Sequence, residues 1–255
     1  MATLENHYVD GSIFSKTLDP VMMGKLTDDF PPSTTPQTFS GPWDLWFYLH
    51  AKQKTNKFHP DTNPPTDHIP LAECLFRYDR GAFWAGTAAF AYFPFIPFTR
   101  LTRWFLNDFT HTRMLYRAFH GSNMSSGQIT QDPSLPYSTA GAFIDYTASF
   151  LGIWLLWLCP LKGIKQSTFY PSYTNGDGTP QAMMNIGLRG KGAEDGEVLV
   201  AQNRELEKSL AELKGRKVPY SQTYYEEEEF WGLYNRLWYE GLRVEGWGED
   251  AADFV

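Results

Sequence analysis

Residues 153–163 read IWLLWLCPLKG, an almost uninterrupted apolar run that places Trp154, Trp157 and Cys159 ahead of Pro160. A bilayer span takes about 20 apolar residues, so this run is too short to cross one. Its length and its proline stop suit a strand buried on both faces, expected at residues 154–159. Upstream, residues 131–136 (QDPSLP) are bounded by prolines. Downstream, residues 181–188 (QAMMNIGL) repeat a strand pattern, expected at 182–189, that leads through glycines into a helix.

The second half of the sequence extends this alternation. Residues 137–151 are expected as a helix, as are residues 198–214, where Leu206, Leu210 and Leu213 form one apolar stripe that Gly215 would end. A further strand is expected at 218–225 and a final helix at 226–243. There Phe230, Leu233, Tyr234, Leu237 and Trp238 recur at helical spacing, and the acidic run at 226–229 suits a helix N-terminus. The stripe of Phe230, Leu233, Leu237 and Gly241 should face the sheet. Tyr239 and Arg243, one turn apart, would then remain as an exposed pair. Strands interleaved with helices predict an α+β fold, with a mixed or antiparallel sheet covered by helices.

In the first half, residues 7–14 and 21–26 alternate around Asp19 and Pro20 and predict a hairpin. A loop follows at 30–36, then a helix over 42–54 carrying Trp43, Trp46, Phe47 and His50 at spacings of three and four. Residues 58–70 hold four prolines and read as a second loop. Residues 82–98 are uncharged and rich in Phe and Ala, and Pro94 and Pro97 interrupt them. Arg100, Arg103, Arg113 and Arg117 then mark an amphipathic helical stretch with Trp104, Phe105, Phe109 and Leu115 between them.

Composition removes several function classes. With 42% hydrophobic and 16% aromatic residues the 255-residue protein can bury a sizeable core, which excludes disorder of the whole. A net charge of -7 leaves no basic stripe for nucleic acid. Cys74 and Cys159 are too few for a disulfide framework and fit a reducing compartment. The residues after Met1 (ATLENHY) lack the basic and apolar regions of a signal peptide, so an intracellular protein is expected.

Several motifs carry less chemistry than they promise. Residues 190–196 (GKGAEDG) follow a strand and precede a helix, as a phosphate-binding turn does. Their spacing is GxGxxxG, and Glu194 and Asp195 would repel a phosphate, so a connecting loop is expected. Among His50, His59, His68, His111 and His120 no pair has metal-ligand spacing, and no metal is expected. Ser122, Ser125 and Ser126 lack a nucleophile elbow. Asn123, Met124 and Ser125 match a glycosylation sequon, relevant only to a lumenal segment. Residues 76–84 (FRYDRGAFW) remain. Arg77 and Arg80 beside Phe83 and Trp84 are suited to an anion or a ligand edge, or alternatively to ion pairs with carboxylates beside a core-facing aromatic pair.

Taken in order, residues 7–11 (HYVDG), 23–28 (MGKLTD), 77–80 (RYDR) with Phe83 and Trp84, Gln131-Asp132 with Leu135-Pro136, 157–160 (WLCP), and 229–231 (EFW) with Tyr239, Leu242 and Arg243 resemble the C-terminal half of the delta-24 sterol reductase family. That family belongs to the FAD-linked oxidoreductases of the vanillyl-alcohol oxidase type. The resemblance implies one cap or substrate-type domain over 1–255, with a hairpin at 1–29, a helical and loop insertion rich in proline and aromatics at 30–130, a sheet-and-helix core at 131–225, and a C-terminal helix and tail at 226–255. It implies reduction of a carbon–carbon double bond in the side chain of a sterol or similar lipid, with FAD, and NADPH as reductant. The FAD-binding domain is expected to lie outside this sequence, in cis or in trans, so the protein alone should not hold flavin.

By the same resemblance Arg77, Arg80 and Trp84 are expected at the substrate and Tyr239 and Arg243 at the cofactor, while no catalytic residue is assigned. The uncharged stretch 82–98 and its arginines predict a peripheral membrane contact, or alternatively a buried helical hairpin. The localisation expected is cytoplasmic, or the cytoplasmic face of the endoplasmic reticulum membrane. A cofactor-free lipid-binding protein derived from the cap domain is the competing expectation.

Overall fold

The computed structural model describes residues 6–59, 61–122, 127–164 and 169–247. The chain divides into two compact units, Met1–Ser126 and Gly127–Val255. In both, helices accompany antiparallel strand pairs, and the fold class is α+β.

The first unit opens with the expected hairpin. Strand β1 (Tyr8–Ile13) pairs with β2 (Val21–Gly24), Tyr8 opposite Gly24 and Gly11 opposite Val21. Helix α1 (Phe47–Lys57) starts five residues later than its apolar spacing predicts. Asp44 is the reason: its Oδ2 accepts from the Gly41 amide (2.9 Å) and the Thr38 hydroxyl (2.8 Å), committing residues 38–44 to a turn. Helices α2 (Leu71–Leu75) and α3 (Ala85–Tyr92) follow. The stretch beginning at Arg100 is broken into α4 (Arg100–Phe105), a 3₁₀ turn (Asn107–Phe109) and α5 (Thr112–Gly121). Thr99 and Thr102 cap α4 reciprocally, each side-chain oxygen accepting from the other's amide.

Trp46, fully buried, is the centre of this unit, with Phe39, Phe47, Tyr48, Ala82 and Phe90 around it. Gly81 and Gly86 lie flat against its indole, and a Cβ at either would come within 2.8 Å of the ring. The proline-rich loop is tied to α1 by Asp67, which pairs with His50 Nε2 (2.8 Å) and Lys54 Nζ (2.9 Å). Burial pushes the Asp67 carboxyl up, but these bonds outweigh it and hold its pKa below the ordinary 3.8.

The second unit is built on a long strand, β8 (Met183–Lys191). On one side it pairs with β5 (Leu156–Leu161), and on the other with β4 (Pro133–Pro136) and β3 (Gln128–Gln131); β9 (Arg216–Lys217) continues beyond β4. A small ribbon, β6 (Tyr173–Thr174) with β7 (Pro180–Gln181), stands apart from these pairings. The expected strand 154–159 thus lies two residues further on, at 156–161. It is also less buried than its composition implies: Leu156 is buried and the other five residues are half-buried. The apolar core comes instead from Ile129, Leu135, Met183, Ile186 and Leu188, packed with Phe143 of α6 (Tyr137–Phe150) and with Leu199, Leu206 and Leu210 of α7 (Gly196–Glu212).

Residues 218–225 do not form the predicted strand, because their backbone groups bond elsewhere. The Val218 amide donates to Asp132 O (3.0 Å) and the Tyr224 amide to Glu207 Oε1 (3.0 Å), while Gln222 O accepts from Lys217 Nζ (2.9 Å). Pro219 has no amide to contribute. The final helix is likewise two: α8 (Glu227–Leu233) and α9 (Arg236–Trp247). Tyr234 between them is extended and buried, its hydroxyl donating to Lys217 O (2.6 Å), and Asn235 Oδ1 caps the amide of Trp238. The break rotates the predicted apolar stripe, leaving Leu237 82% exposed rather than against the sheet.

Glu207 and Lys217 are almost completely buried and paired at 2.8 Å. Breaking such a pair on one side leaves an uncompensated buried charge, which costs about 3–5 kcal/mol. Lys217→Met should therefore lower stability by about that much, and the double variant Lys217→Met/Glu207→Leu should recover most of the loss. Denaturant titration of the three proteins checks this; a double variant no more stable than the single one would show that the pair itself supplies the stability. At Asp67 the depressed pKa means that the ionised form stabilises the fold fully above pH 3.8, and that this part is lost as pH falls through the folded pKa. The melting difference between wild type and Asp67→Asn should be flat at neutral pH and shrink below 3.8. A difference that grew on acidification would contradict the ion-pair role.

Candidate functional site

In the first unit, every polar residue of the Arg77-Tyr78-Asp79-Arg80 segment is engaged. Arg77 donates to Asp10 Oδ2 (2.7 Å) and to Cys74 O (2.6 Å), and the Tyr78 hydroxyl donates to the same Asp10 oxygen at 3.0 Å. Burial opposes the Arg77 charge, but Asp10 outweighs it and its pKa stays raised; the Tyr78 phenol is pushed well above its usual range by burial and by Asp10. Asp79 pairs with His111 Nδ1 at 2.6 Å. Arg80 is 2% exposed and donates to the carbonyls of Phe39, Gly41, Pro42 and Asp44, gathering that loop around one guanidinium.

This segment runs into an unusual backbone. Gly81, Ala82 and Phe83 have φ of 82°, 44° and 59°, three consecutive left-handed residues of which two are not glycine. Residues with side chains rarely adopt such φ and are held there by their surroundings. Here Phe83 stacks on Tyr78 (centroids 4.2 Å apart) and meets Trp84 edge-on at 5.7 Å, while the Gly81 amide donates to Thr110 O. Arg77 and Arg80 precede this turn in sequence, but their side chains bond elsewhere, Arg77 to Asp10 and Cys74 and Arg80 to the 39–44 loop; Trp84 follows the turn, half-buried.

In the second unit Tyr239 and Arg243 do share a face of α9, with the Arg243 guanidinium 5.9 Å from the Tyr239 ring centroid. Both are half-buried rather than exposed. Tyr239 stacks on Phe169, which also meets Phe230, Tyr234 and Trp238. The result is an aromatic cluster, joined by Trp231, with the guanidiniums of Arg243 and Arg236 at its margin.

A third group, centred on Asp132, had no role in the sequence reading although Gln131-Asp132 stood out there. Asp132 accepts from Asn185 Nδ2 (3.0 Å) and from the Tyr220 hydroxyl, and Asn185 Oδ1 accepts from Ser134 at 2.8 Å. Gln131 donates to Asn203 Oδ1 (3.0 Å) and accepts from Ser221. Polar residues on strands flanked by apolar ones were the available signal. Their partners lie 51 to 90 positions away in sequence, beyond any local pattern.

The glycine-rich turn at 190–196 does not fit a flavin pyrophosphate. A Cβ at Gly192 would come within 2.2 Å of Leu199 and one at Gly190 within 2.8 Å of Ile153, so these glycines serve close packing. Asp195 Oδ1 already takes the amides of Glu197 and Val198 at the start of α7. A cleft of about 280 Å³ beside α6 is lined by Ser138, Thr139, Tyr173, Asn175, Glu212 and Lys214. Its lining is too polar for an apolar ligand. Among the described residues no group of three or more His, Cys, Asp or Glu is placed to hold a metal, and no helix is long and apolar enough to cross a membrane. Ser122 closes α5, its hydroxyl donating to Phe119 O. Ser125, Ser126 and the sequon at Asn123 lie outside the described residues.

No family model and no solved structure matches the chain. Among curated proteins it is 25% identical over 97% of its length to the Delta(24)-sterol reductase of Rattus norvegicus, covering 47% of that protein. It is 24% identical over 97% of its length to that of Homo sapiens (46% of that protein) and 24% over 92% to that of Arabidopsis thaliana (44%). The chain is related along nearly its whole length to the Delta(24)-sterol reductase family, and it spans about half the length of the curated relatives it matches.

Proposed function

We propose that this chain is the substrate-side part of an FAD-dependent oxidoreductase that reduces a carbon–carbon double bond in the side chain of a sterol or a similar lipid. The observation that carries this reading is the relationship to Delta(24)-sterol reductases, which runs over 97% of the sequence rather than over one motif. The described residues form no flavin site at the glycine-rich turn. The reading therefore assigns FAD to a separate FAD-binding domain, joined in cis or supplied in trans, with NADPH as the reductant. It works in the cytoplasm or at the cytoplasmic face of the endoplasmic reticulum membrane.

In this reading the strained turn at 81–83 presents Trp84 to the substrate, and Arg77 and Arg80 anchor the segment that leads into it to Asp10 and to the 39–44 loop. Strain of this kind concentrates at functional sites, which supports the assignment. Tyr239 and Arg243 face the flavin-binding domain: an aromatic ring and a guanidinium on one helix face suit the ring system and the negative charge of a reduced flavin. A second reading, a cofactor-free lipid-binding protein, is favoured by the unsuitable glycine turn together with the apolar surface of the first unit.

The two readings separate on one preparation. The purified chain alone should be colourless, and adding an FAD-binding domain of this family in trans should yield flavin-dependent reduction of a Δ24 sterol. Stoichiometric yellow flavin absorbance from the 255-residue protein alone would sink the two-part assignment; bound sterol without any turnover in the reconstituted pair would favour the second reading. Within the reconstituted pair, Arg243→Ala should impair flavin reduction while changing stability by no more than about 1 kcal/mol, the scale of one cation–π contact. Tyr234→Ala, which removes a buried ring and its hydrogen bond, serves as the destabilised reference. Equal losses of melting temperature in the two variants would make Arg243 a structural residue.

A further inference from the structure

Residues 81–107 contain Arg100 and Arg103 and no carboxylate, in a protein whose net charge is -7. The same stretch displays much of the apolar surface of its unit. Helix α3 ends at Tyr92, and the Ile96 amide donates back to Phe93 O (2.9 Å), closing a turn that Pro94 and Pro97 keep from continuing as helix. Phe95 at that turn is 94% exposed, flanked by Tyr92 at 59% and Phe93 at 52%; on α4, Leu101 and Phe105 are also exposed. Trp104 stacks on Trp43 (4.9 Å), with the Arg100 guanidinium 5.6 Å from the Trp43 ring and its Nε donating to Trp43 O.

Arg103 adds a second, independent sign. It is 7% exposed, its guanidinium lies 5.0 Å from the Phe98 ring and 5.8 Å from Trp46, and its buried Nε has no hydrogen-bond partner among the described residues. Among the described residues neither Arg100 nor Arg103 forms an ion pair with a carboxylate. The charged groups that act on Arg103 are Arg100 and Arg80, both of its own sign, and the titratable Tyr48 phenol; burial and Arg100 depress its pKa. A guanidinium held among rings, with no counter-ion among the described residues, is a buried charge left uncompensated.

We propose that the α3–α4 turn is a peripheral membrane-binding surface, in which Phe93 and Phe95 enter the acyl boundary and Arg100 and Arg103 receive the phosphates of anionic phospholipids. Aromatic side chains favour the headgroup level and arginine the lipid phosphate, and interfacial binding combines buried apolar area with attraction to anionic lipid. Two prolines and a closed turn hold the rings out of the core, so the insertion costs no unfolding. The proposal is independent of the redox reading, since it holds for either function above.

Flotation of the full chain decides it, with vesicles of phosphatidylcholine alone and vesicles also containing phosphatidylserine. The protein should float with the anionic vesicles, less at high salt and less with neutral ones. Phe95→Asp should weaken partitioning roughly tenfold or more, the size expected for withdrawing one phenylalanine from an apolar phase. Arg100→Gln should weaken it roughly fivefold on anionic vesicles and little on neutral ones. Phe93→Asp repeats the test if Phe95→Asp alters the circular dichroism melt. Protein that stays soluble with anionic vesicles, or floats unaffected by either phenylalanine variant, overturns the proposal. So does release by millimolar inorganic phosphate, which would mark a free-anion site, and so does a dimer in sedimentation that Phe95→Asp dissolves without any vesicle binding, which would mark a contact between copies.

Discussion

An ammonium and a carboxylate withdrawn from water, Lys217 and Glu207, set much of what the second unit does. Each has more hydrogen-bonding capacity than the other can fill, and the surplus is filled by backbone from residues 222–224. Burial presses the Lys217 pKa down and the contact with Glu207 acts against it. A charge in that position is tolerated only if its remaining donors are met. The backbone after β9 is therefore routed around the pair and leaves the sheet. Through Tyr234, whose hydroxyl bonds Lys217 O, the same locus determines where α8 stops and how α9 is turned. Burial raises the Tyr234 phenol to about 12, against the opposing effect of its bond to Lys217 O, so the hydroxyl remains a donor at all ordinary pH.

The first unit solves a related problem with cations. Arg80 spends its terminal nitrogens on four backbone carbonyls of one loop, and Arg77 shares Asp10 with Tyr78. Both arrangements bind distant segments by charge-assisted bonds, which are stronger than neutral ones and more exacting in geometry. The left-handed run at 81–83 persists because Trp46, Tyr78 and Thr110 hold it from three sides. Mutual packing of this kind makes a positive-φ phenylalanine tolerable.

What could be read from the sequence divides along physical lines. The hairpin, the strands near 156 and 186, and the helices at 137–150 and 196–212 are set by local periodicity, and their residues announce it. Positions 218–225 carry an apolar, aromatic composition that also suits a strand, but their fate is decided by Glu207 and Asp132, which local pattern cannot see. The break at Tyr234 fails for the same reason, and with it the stripe through Leu237. Among the site residues, the shared face of Tyr239 and Arg243 follows from helical spacing. Their partial burial depends on Phe169, some seventy residues earlier. The strained turn between Arg80 and Trp84 depends on φ values that no spacing encodes.

Under the proposed function, an enzyme acting on a sterol would have to take an apolar molecule from a phase in which it dissolves. The cleft beside α6 is lined by hydroxyls, two amides, two charges and a proline, and is a poor host for such a molecule. The apolar surface of the first unit is not. It carries exposed rings, the exposed Arg100 and the buried Arg103, neither arginine with a carboxylate partner among the described residues, and its sequence has no negative charge over 27 residues in a protein that is acidic as a whole. An exposed patch of that size would be a liability in a protein surrounded only by water. It becomes intelligible if the surface meets lipid, where the same rings gain by burial and the same arginines find phosphate. The buried ion pair of the second unit and the exposed rings of the first are then two answers to one constraint: a charge or a ring is stable where a partner exists for it.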